Sequence, residues 1–417
     1  GWRRPGRPRS APACPARRGK ARSRAGAPMN AATGWFTPER LRVYGIAWAI
    51  MAFAIFVDTA LTLAGRDGPP GDADFLSFRA AAELAWQGRP EAAWDRAAHA
   101  AAQTALQGAP GRYYAFFYPP TFLLICLPLA ALPLLPAFVA FAAATGAALF
   151  ALLRAWLPGA GWVGAMLMIA APVTVLNALH GQNGFLTAAL LAVAGLAMDR
   201  RPAIAGAALA SLAFKPQLGL LVIPALLAAR RWAALAWAAV AGVGWVVATL
   251  LAFGPGVWFA FLDRLPGAGD AVAQGVLEPW QLQSVFGLLR GLGIGPSVAG
   301  VVQGAVTLGA IGAVAWMLRR RPGGRAEMAA VAAGAPITTP FVFVYDLTLL
   351  LLPMAWILAE ARRDGFLPGE KAGLVAAYFI PAASIVAGLS VAIGFGALAP
   401  AIMLALVLRR IGRTRGD

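Results

Sequence analysis

Acidic, histidine and cysteine side chains are all scarce in this chain. Of its 417 residues, 18 are Asp or Glu, 2 are His and 2 are Cys. Cys14 lies in a basic amino-terminal stretch and Cys126 in an apolar run, so neither a disulfide framework nor a thiolate metal site can be assembled from them. No phosphate loop, zinc-ligand spacing, serine-hydrolase elbow or dinucleotide fingerprint occurs, which leaves the chemistry of the common soluble enzymes without support. Charged residues make up only 13% of the chain, whereas 60% is hydrophobic, the profile of a polytopic membrane protein. The net charge of +17 comes from Arg residues in short runs between apolar segments. That pattern is a topology signal of the positive-inside kind, and no nucleic-acid partner is expected from it.

Residues 1–28 are rich in Arg, Pro and Ala and contain no acidic residue and no apolar core of a signal peptide. They read as a basic leader upstream of a native start at Met29, or alternatively as a disordered tail on the cytoplasmic leaflet. Residues 29–417 then form a single membrane domain. Its first apolar run, Val43 to Ala64, is long enough to cross roughly 30 Å of hydrocarbon and follows Arg40 and Arg42, which places the amino terminus inside.

Counting crossings between the Arg runs predicts about twelve transmembrane helices with both termini cytoplasmic. The outer loops are residues 65–120 and 254–297. The short run Thr121 to Leu132, bounded by Pro119, Pro120, Pro133 and Pro136, is expected to lie in the outer interface. Gly161 to Leu179 is expected as one span. Two further runs, Pro202 to Phe214 and Gln217 to Ala229, are too short to span alone and predict a recessed outer surface.

Six of the scarce carboxylates fall in the first loop, at Asp67, Asp72, Asp74, Glu83, Glu91 and Asp95. The other polar groups that the topology brings to the same side are His180, Gln182 and Asn183 in HGQNG, Lys215 in FKPQ, Gln281 and Ser284 in EPWQLQS, and Tyr345 and Asp346 in FVFVYD. Convergence on one face is what an active site at the outer interface requires. Each residue also has a structural reading. Asp74 precedes the helical pattern FLSFRAAAELAWQ and is a natural N-cap, with Asp72 as a weaker competitor for any catalytic role. Lys215 reads either as a snorkelling lysine or as a partner for a phosphate at membrane depth. His180 reads as a hydrogen-bonded interfacial histidine, Asp346 as a solvated or Arg-paired residue, and the aromatics Tyr113 to Tyr118 as an interfacial belt or the entry of a lipid chain.

Taken together, DFLSFRAAAELAWQGRP, FFYPPTFLLICLPLAALP, HGQNGFLTAALLA, AGAALASLAFKPQLGLLVIPALLAARRW and TPFVFVYDLTLLLLP, in this order, resemble the proteins of glycosyltransferase family 87 over about Ala47 to Leu358. The resemblance implies a membrane-embedded GT-C-like bundle with interfacial helices in its large first extracytoplasmic loop. It implies an inverting transfer of a hexose, mannose among the candidates, from a polyprenyl-phosphate-linked donor to an acceptor hydroxyl. The acceptor would be a glycan or glycolipid at the outer face of a bacterial plasma membrane, with membrane lipids around the bundle. On this resemblance Asp74 is the general base, Lys215 lies near the carrier phosphate, His180 and Gln182 orient donor or acceptor, and no obligatory metal is implied. The chain departs from the family's actinobacterial mannosyltransferases at FVFVYD, where those carry a histidine-rich motif. The competing classes are a polytopic transporter or lipid flippase and a non-catalytic membrane assembly factor.

Overall fold

Prolines punctuate the chain into helices, because a proline at the first helical position loses nothing while one in the interior removes a hydrogen bond and clashes with the preceding turn. The computed structural model describes Gly1 and residues 38–63, 73–273 and 277–413. The predicted leader at 1–28 lies outside the described residues apart from Gly1. The chain divides into Gly1–Val43 and Tyr44–Asp417, and every site residue discussed below belongs to the second unit.

Among the described residues there are helices and no strands. In order they are α1 (Pro38–Leu63), α2 (Phe75–Trp86), α3 (Arg96–Gln107), α4 (Pro120–Cys126), α5 (Leu134–Trp156), α6 (Gly161–Ile169), α7 (Pro172–His180), α8 (Gly184–Ala197), α9 (Pro202–Ser211) and α10 (Pro216–Gly219). They continue with α11 (Val222–Ala228), α12 (Trp232–Phe253), α13 (Gly256–Ala273), α14 (Val285–Gly291), α15 (Pro296–Leu318), α16 (Gly324–Gly334), α17 (Leu351–Asp364), α18 (Glu370–Val391) and α19 (Leu398–Arg413). Among the described residues, five segments are long and apolar enough to cross a bilayer on their own: α5, α12, α15, Val344–Asp364 and α18. Four shorter apolar helices accompany them.

Three expectations change. The run Gly161 to Leu179 is two helices, because Pro172 forces Ala171 into an extended backbone (φ −56°, ψ 143°). Residues 254–297 are no plain loop, since α13 and α14 occupy much of that stretch. Of the expected twelve spans, five have the length and apolarity of a full crossing among the described residues.

Val344–Asp364 is the centre of the packing: 83% of its apolar window is buried, against 11–28% for the other four spans. It begins as 3-10 turns over Val344–Leu350 before continuing as α17, so its first residues, Tyr345 and Asp346, enter the interior off the regular helical register. A second, aromatic core underlies the polar first loop. Phe78 meets Phe122 edge-on at 4.8 Å and Phe122 stacks on Phe214 at 5.2 Å, which joins α2, α4 and the turn that follows α9. Arg79 completes this junction. It pairs with Glu83 at 2.7 Å, as the i,i+4 spacing predicts, and also donates to the carbonyls of Leu132 (3.0 Å) and Ala130 (3.2 Å). Just past the end of α8, Arg231 chelates Glu327 (2.9 and 2.8 Å) and reaches Asp199 (2.5 Å), fastening the joints there.

Candidate active site

Asp74 stands at the entrance of α2 but does not cap it. Its backbone is already helical (φ −57°, ψ −25°) and its side chain makes no cap hydrogen bond. Asp95 shows what a cap looks like in the same region: extended backbone, with its carboxylate accepting from the amide of Ala98 at 2.7 Å. The half-buried Asp74 carboxylate instead accepts a hydrogen bond from Nε2 of Gln182, 108 residues further on, at 2.9 Å. The Oε1 of the same Gln182 accepts from the Tyr118 hydroxyl at 3.2 Å. Burial pushes the Tyr118 phenol well above its usual range, and the charges of Asp346 and Asp74 add to the effect, so the hydroxyl keeps its proton and acts as the donor of this relay. Trp94 holds Tyr118 from behind through its carbonyl at 3.1 Å.

The joint HGQNG can deliver Gln182 because of its two glycines. Gly181 takes a left-handed backbone (φ +60°), and a Cβ there would fall 2.6 Å from Cβ of Phe75, the residue after Asp74. At Gly184 a Cβ would lie 2.4 Å from both the Asn177 side-chain oxygen and the Tyr345 carbonyl. The two glycines thus press the joint against α2 on one side and against Tyr345 on the other. The Gly184 amide is held by Oδ1 of Asn177 at 2.9 Å.

Lys215 occupies the break between α9 and α10. Pro216 disfavours the helical conformation for the residue before it, and Lys215 sits at φ −129°, ψ 69°. Lys215 is 2% exposed, so it does not snorkel to an interface. The ammonium forms a hydrogen-bonded ion pair with the buried carboxylate of Asp346, whose other oxygen accepts from the Phe343 amide at 3.0 Å. The expected solvated or Arg-paired Asp346 is therefore replaced by a buried Lys partner. Tyr345 covers the pair, with Lys215 Nζ 5.2 Å from its ring centre, the Phe343 ring stacked on it at 5.4 Å and the half-buried His180 ring 6.1 Å away.

A polar relay, a buried ion pair and an aromatic cover thus meet where α2, the joint before α8, the α9–α10 break and the start of the central helix come together. A family model for glycosyltransferase family 87 matches residues 116–343 of this chain. The chain belongs to glycosyltransferase family 87. With its apolar helices, this makes it a membrane glycosyltransferase. Comparison with curated proteins found no match. None was found among solved structures either. The matched region holds Tyr118, HGQNG, Lys215 and the TPFVF stretch; Tyr345 and Asp346 follow directly after its end, whereas Asp74 lies well upstream of its start.

Not every polar residue of interest belongs to the glycosyltransferase's site. Gln281 folds back on its own turn and accepts from the Glu278 amide at 3.2 Å. Ser284 caps α14, accepting from Gly287 at 3.0 Å and donating to the Pro340 carbonyl at 2.7 Å. Neither bonds to the relay. Asp72 lies outside the described residues. The aromatic stretch divides by role: Phe116 is core, Phe117 is 40% exposed, and Tyr118 joins the relay. Tyr118 was legible in sequence as an aromatic but not as a partner of Gln182, because no local pattern encodes a contact across 64 residues. Among the described residues, no three His, Cys, Asp or Glu side chains converge as a metal site.

Proposed function

We propose that this chain transfers a hexosyl group, mannose being one candidate, from a polyprenyl-phosphate-linked donor to a hydroxyl of a glycan or glycolipid acceptor. The reaction takes place at the extracytoplasmic face of a bacterial plasma membrane. The observation that carries the reading is that Asp74 gives up the helix cap it is placed to make and directs its carboxylate to the polar joint, which also packs against Tyr345, the ring over Lys215. A carboxylate with one oxygen held by Gln182 and the other available to an acceptor has the arrangement a general base needs. In the proposed step Asp74 takes the acceptor's hydroxyl proton as that oxygen bonds to the anomeric carbon from the face opposite the phosphate. The bond from that carbon to the phosphate oxygen breaks with its electron pair going to the phosphate, and the configuration inverts. Lys215 stabilises the charge that grows on the departing phosphate. Asp346 keeps the ammonium in place at the break between α9 and α10 until the phosphate shares it.

The family supports a membrane glycosyltransferase, and the rest of this reading extends it. The extension is a GT-C-like bundle of about twelve spans formed by residues 29–417, with both termini cytoplasmic. No obligatory metal is included, since the second carboxylate at hand, Asp346, is already neutralised by Lys215. The test is incubation of membranes carrying the protein with radiolabelled polyprenyl-phosphate sugars and analysis of the products. The expected result is labelled acceptor with inverted anomeric configuration. Movement of label across the membrane without a new glycosidic bond would replace this reading with that of a transporter.

A further inference from the structure

A buried polar atom without a partner is costly, so interiors hold few of them and each calls for a reason. Among the described residues these atoms are Oγ1 of Thr121, Nδ2 of Asn177, both Nδ2 and Oδ1 of Asn183, and Oγ1 of Thr348. They are not scattered. Asn177 and Thr348 both border Gly184: the Asn177 Oδ1 that accepts from the Gly184 amide carries the unpaired Nδ2 on the same amide group, and the unpaired Thr348 Oγ1 would lie 3.1 Å from a Cβ at Gly184. Asn183 precedes that glycine and follows Gln182, the residue that holds Asp74. Its amide lies beside the Tyr118 hydroxyl without making a full hydrogen bond to it. Thr121 is in the first turn of α4, just after Tyr118. Asn177, Asn183 and Thr348 are each 1% exposed or less.

The chemistry of these free atoms restricts what can satisfy them. A phosphate accepts only and wants donors, a metal ion wants acceptor oxygens, and a hydrocarbon chain wants neither. Here donors and acceptors are mixed: an amide offering one of each at Asn183, a donor at Asn177, and a hydroxyl at Thr348 able to do both. Sugar hydroxyls, which donate and accept at neighbouring carbons, match that set. The charged groups close by are already engaged, Lys215 with Asp346 and Asp74 with Gln182.

We propose that Asn183, backed by Asn177 and Thr348, is the sugar-reading element of the site, its amide pairing with two adjacent hydroxyls of the hexosyl group and so setting which hexose is transferred. This rests on the glycosyl-transfer reading above and goes beyond it by assigning sugar selectivity to residues that neither take the proton nor meet the phosphate. A site built to hydrogen-bond a hydroxyl rejects an analogue that lacks or misplaces it, because the site's own polar groups are then left unpaired.

The test uses the full-length protein in detergent with three donors, polyprenyl phosphates carrying mannose, glucose or 2-deoxyglucose, and compares kcat/KM for each. Two near-isosteric variants, Asn183→Leu and Thr348→Val, remove unpaired polar atoms while keeping the shape, so neither is expected to melt below the wild type. The wild type is expected to prefer one sugar by tenfold or more. Asn183→Leu is expected to lose at least about tenfold on that sugar and to bring the ratios between sugars towards unity, and Thr348→Val to shift the ratios in the same direction. Ratios unchanged in both variants would overturn the proposal and leave these atoms as the seat of a structural water. A wild type that uses all three sugars equally would also overturn it. If the wild type transfers none of them, the glycosyl-transfer reading itself fails, and the selectivity role with it.

Discussion

Replacing Asp74 by Asn tests its assignment as base, because the substitution keeps its size and its ability to accept a hydrogen bond but removes its basicity. As an N-cap, Asn serves as well as Asp. A residue that only caps α2 would therefore tolerate the change in both stability and activity. As a general base it would not: such groups contribute about 10²–10⁴ in rate, roughly 3–5 kcal/mol of barrier at about 1.4 kcal/mol per tenfold. The structure indicates that little else should change. The amide oxygen of the introduced asparagine could still accept from Gln182 Nε2, which lies 2.9 Å from the native carboxylate, so Gln182 and through it Tyr118 keep their positions. No cap bond is lost, since none is made. A stability change within about 0.5 kcal/mol is expected, as for substitutions that disturb no buried contact. The assay is single-turnover transfer of a radiolabelled polyprenyl-phosphate sugar by purified Asp74→Asn protein, with its melting temperature measured alongside. The expected outcome is a loss of at least about a hundredfold in rate with an unchanged melting temperature. Transfer within a few-fold of the wild type would refute the assignment of Asp74 as base.

Two further perturbations test the surroundings of the site. Lys215→Met strands the buried Asp346 carboxylate and is expected to cost about 3–5 kcal/mol; adding Asp346→Leu should recover most of the melting temperature while transfer stays lost, which denaturation and activity measurements together would show. His99 is fully buried between the Ser77 carbonyl (3.1 Å) and Gln103 (3.2 Å), and burial lowers its pKa from 6.5 to about 4. Between those values the folded state binds fewer protons than the unfolded one, so stability rises with pH across this window, and the first loop is expected to lose up to about 3 kcal/mol on acidification from pH 6.5 to 4. Comparing melting curves of the wild type and His99→Gln at about pH 7 and about pH 5 checks this, and an identical pH dependence in the two proteins would show that another group is responsible.

Much of the site is legible in the amino-acid sequence. Asp74, HGQNG, FKPQ and FVFVYD stand out because polar residues are rare in so apolar a chain, and the fold brings residues of all four together. What could not be read is where each polar group finds its partner. Asp74 has the sequence context of a cap, but its backbone dihedrals and a glutamine 108 residues away decide otherwise. Asp346 and Lys215 are 131 residues apart and meet because Pro216 ends one helix and the central span begins in 3-10 turns. Gln281 and Ser284 look equally promising in sequence, yet their bonds close within their own turns or to the neighbouring Pro340.

The sequence by itself determined the class of the protein and most helix boundaries, because apolar run length, Arg placement and proline position act locally and need no knowledge of the rest of the chain. Tertiary structure alone decided that Asp74 is held by Gln182, that Lys215 is buried against Asp346, and that Asn183 keeps two polar atoms unpaired beside them. Inside a low-dielectric interior, long-range packing selects which groups can satisfy one another, and that selection has no local signature.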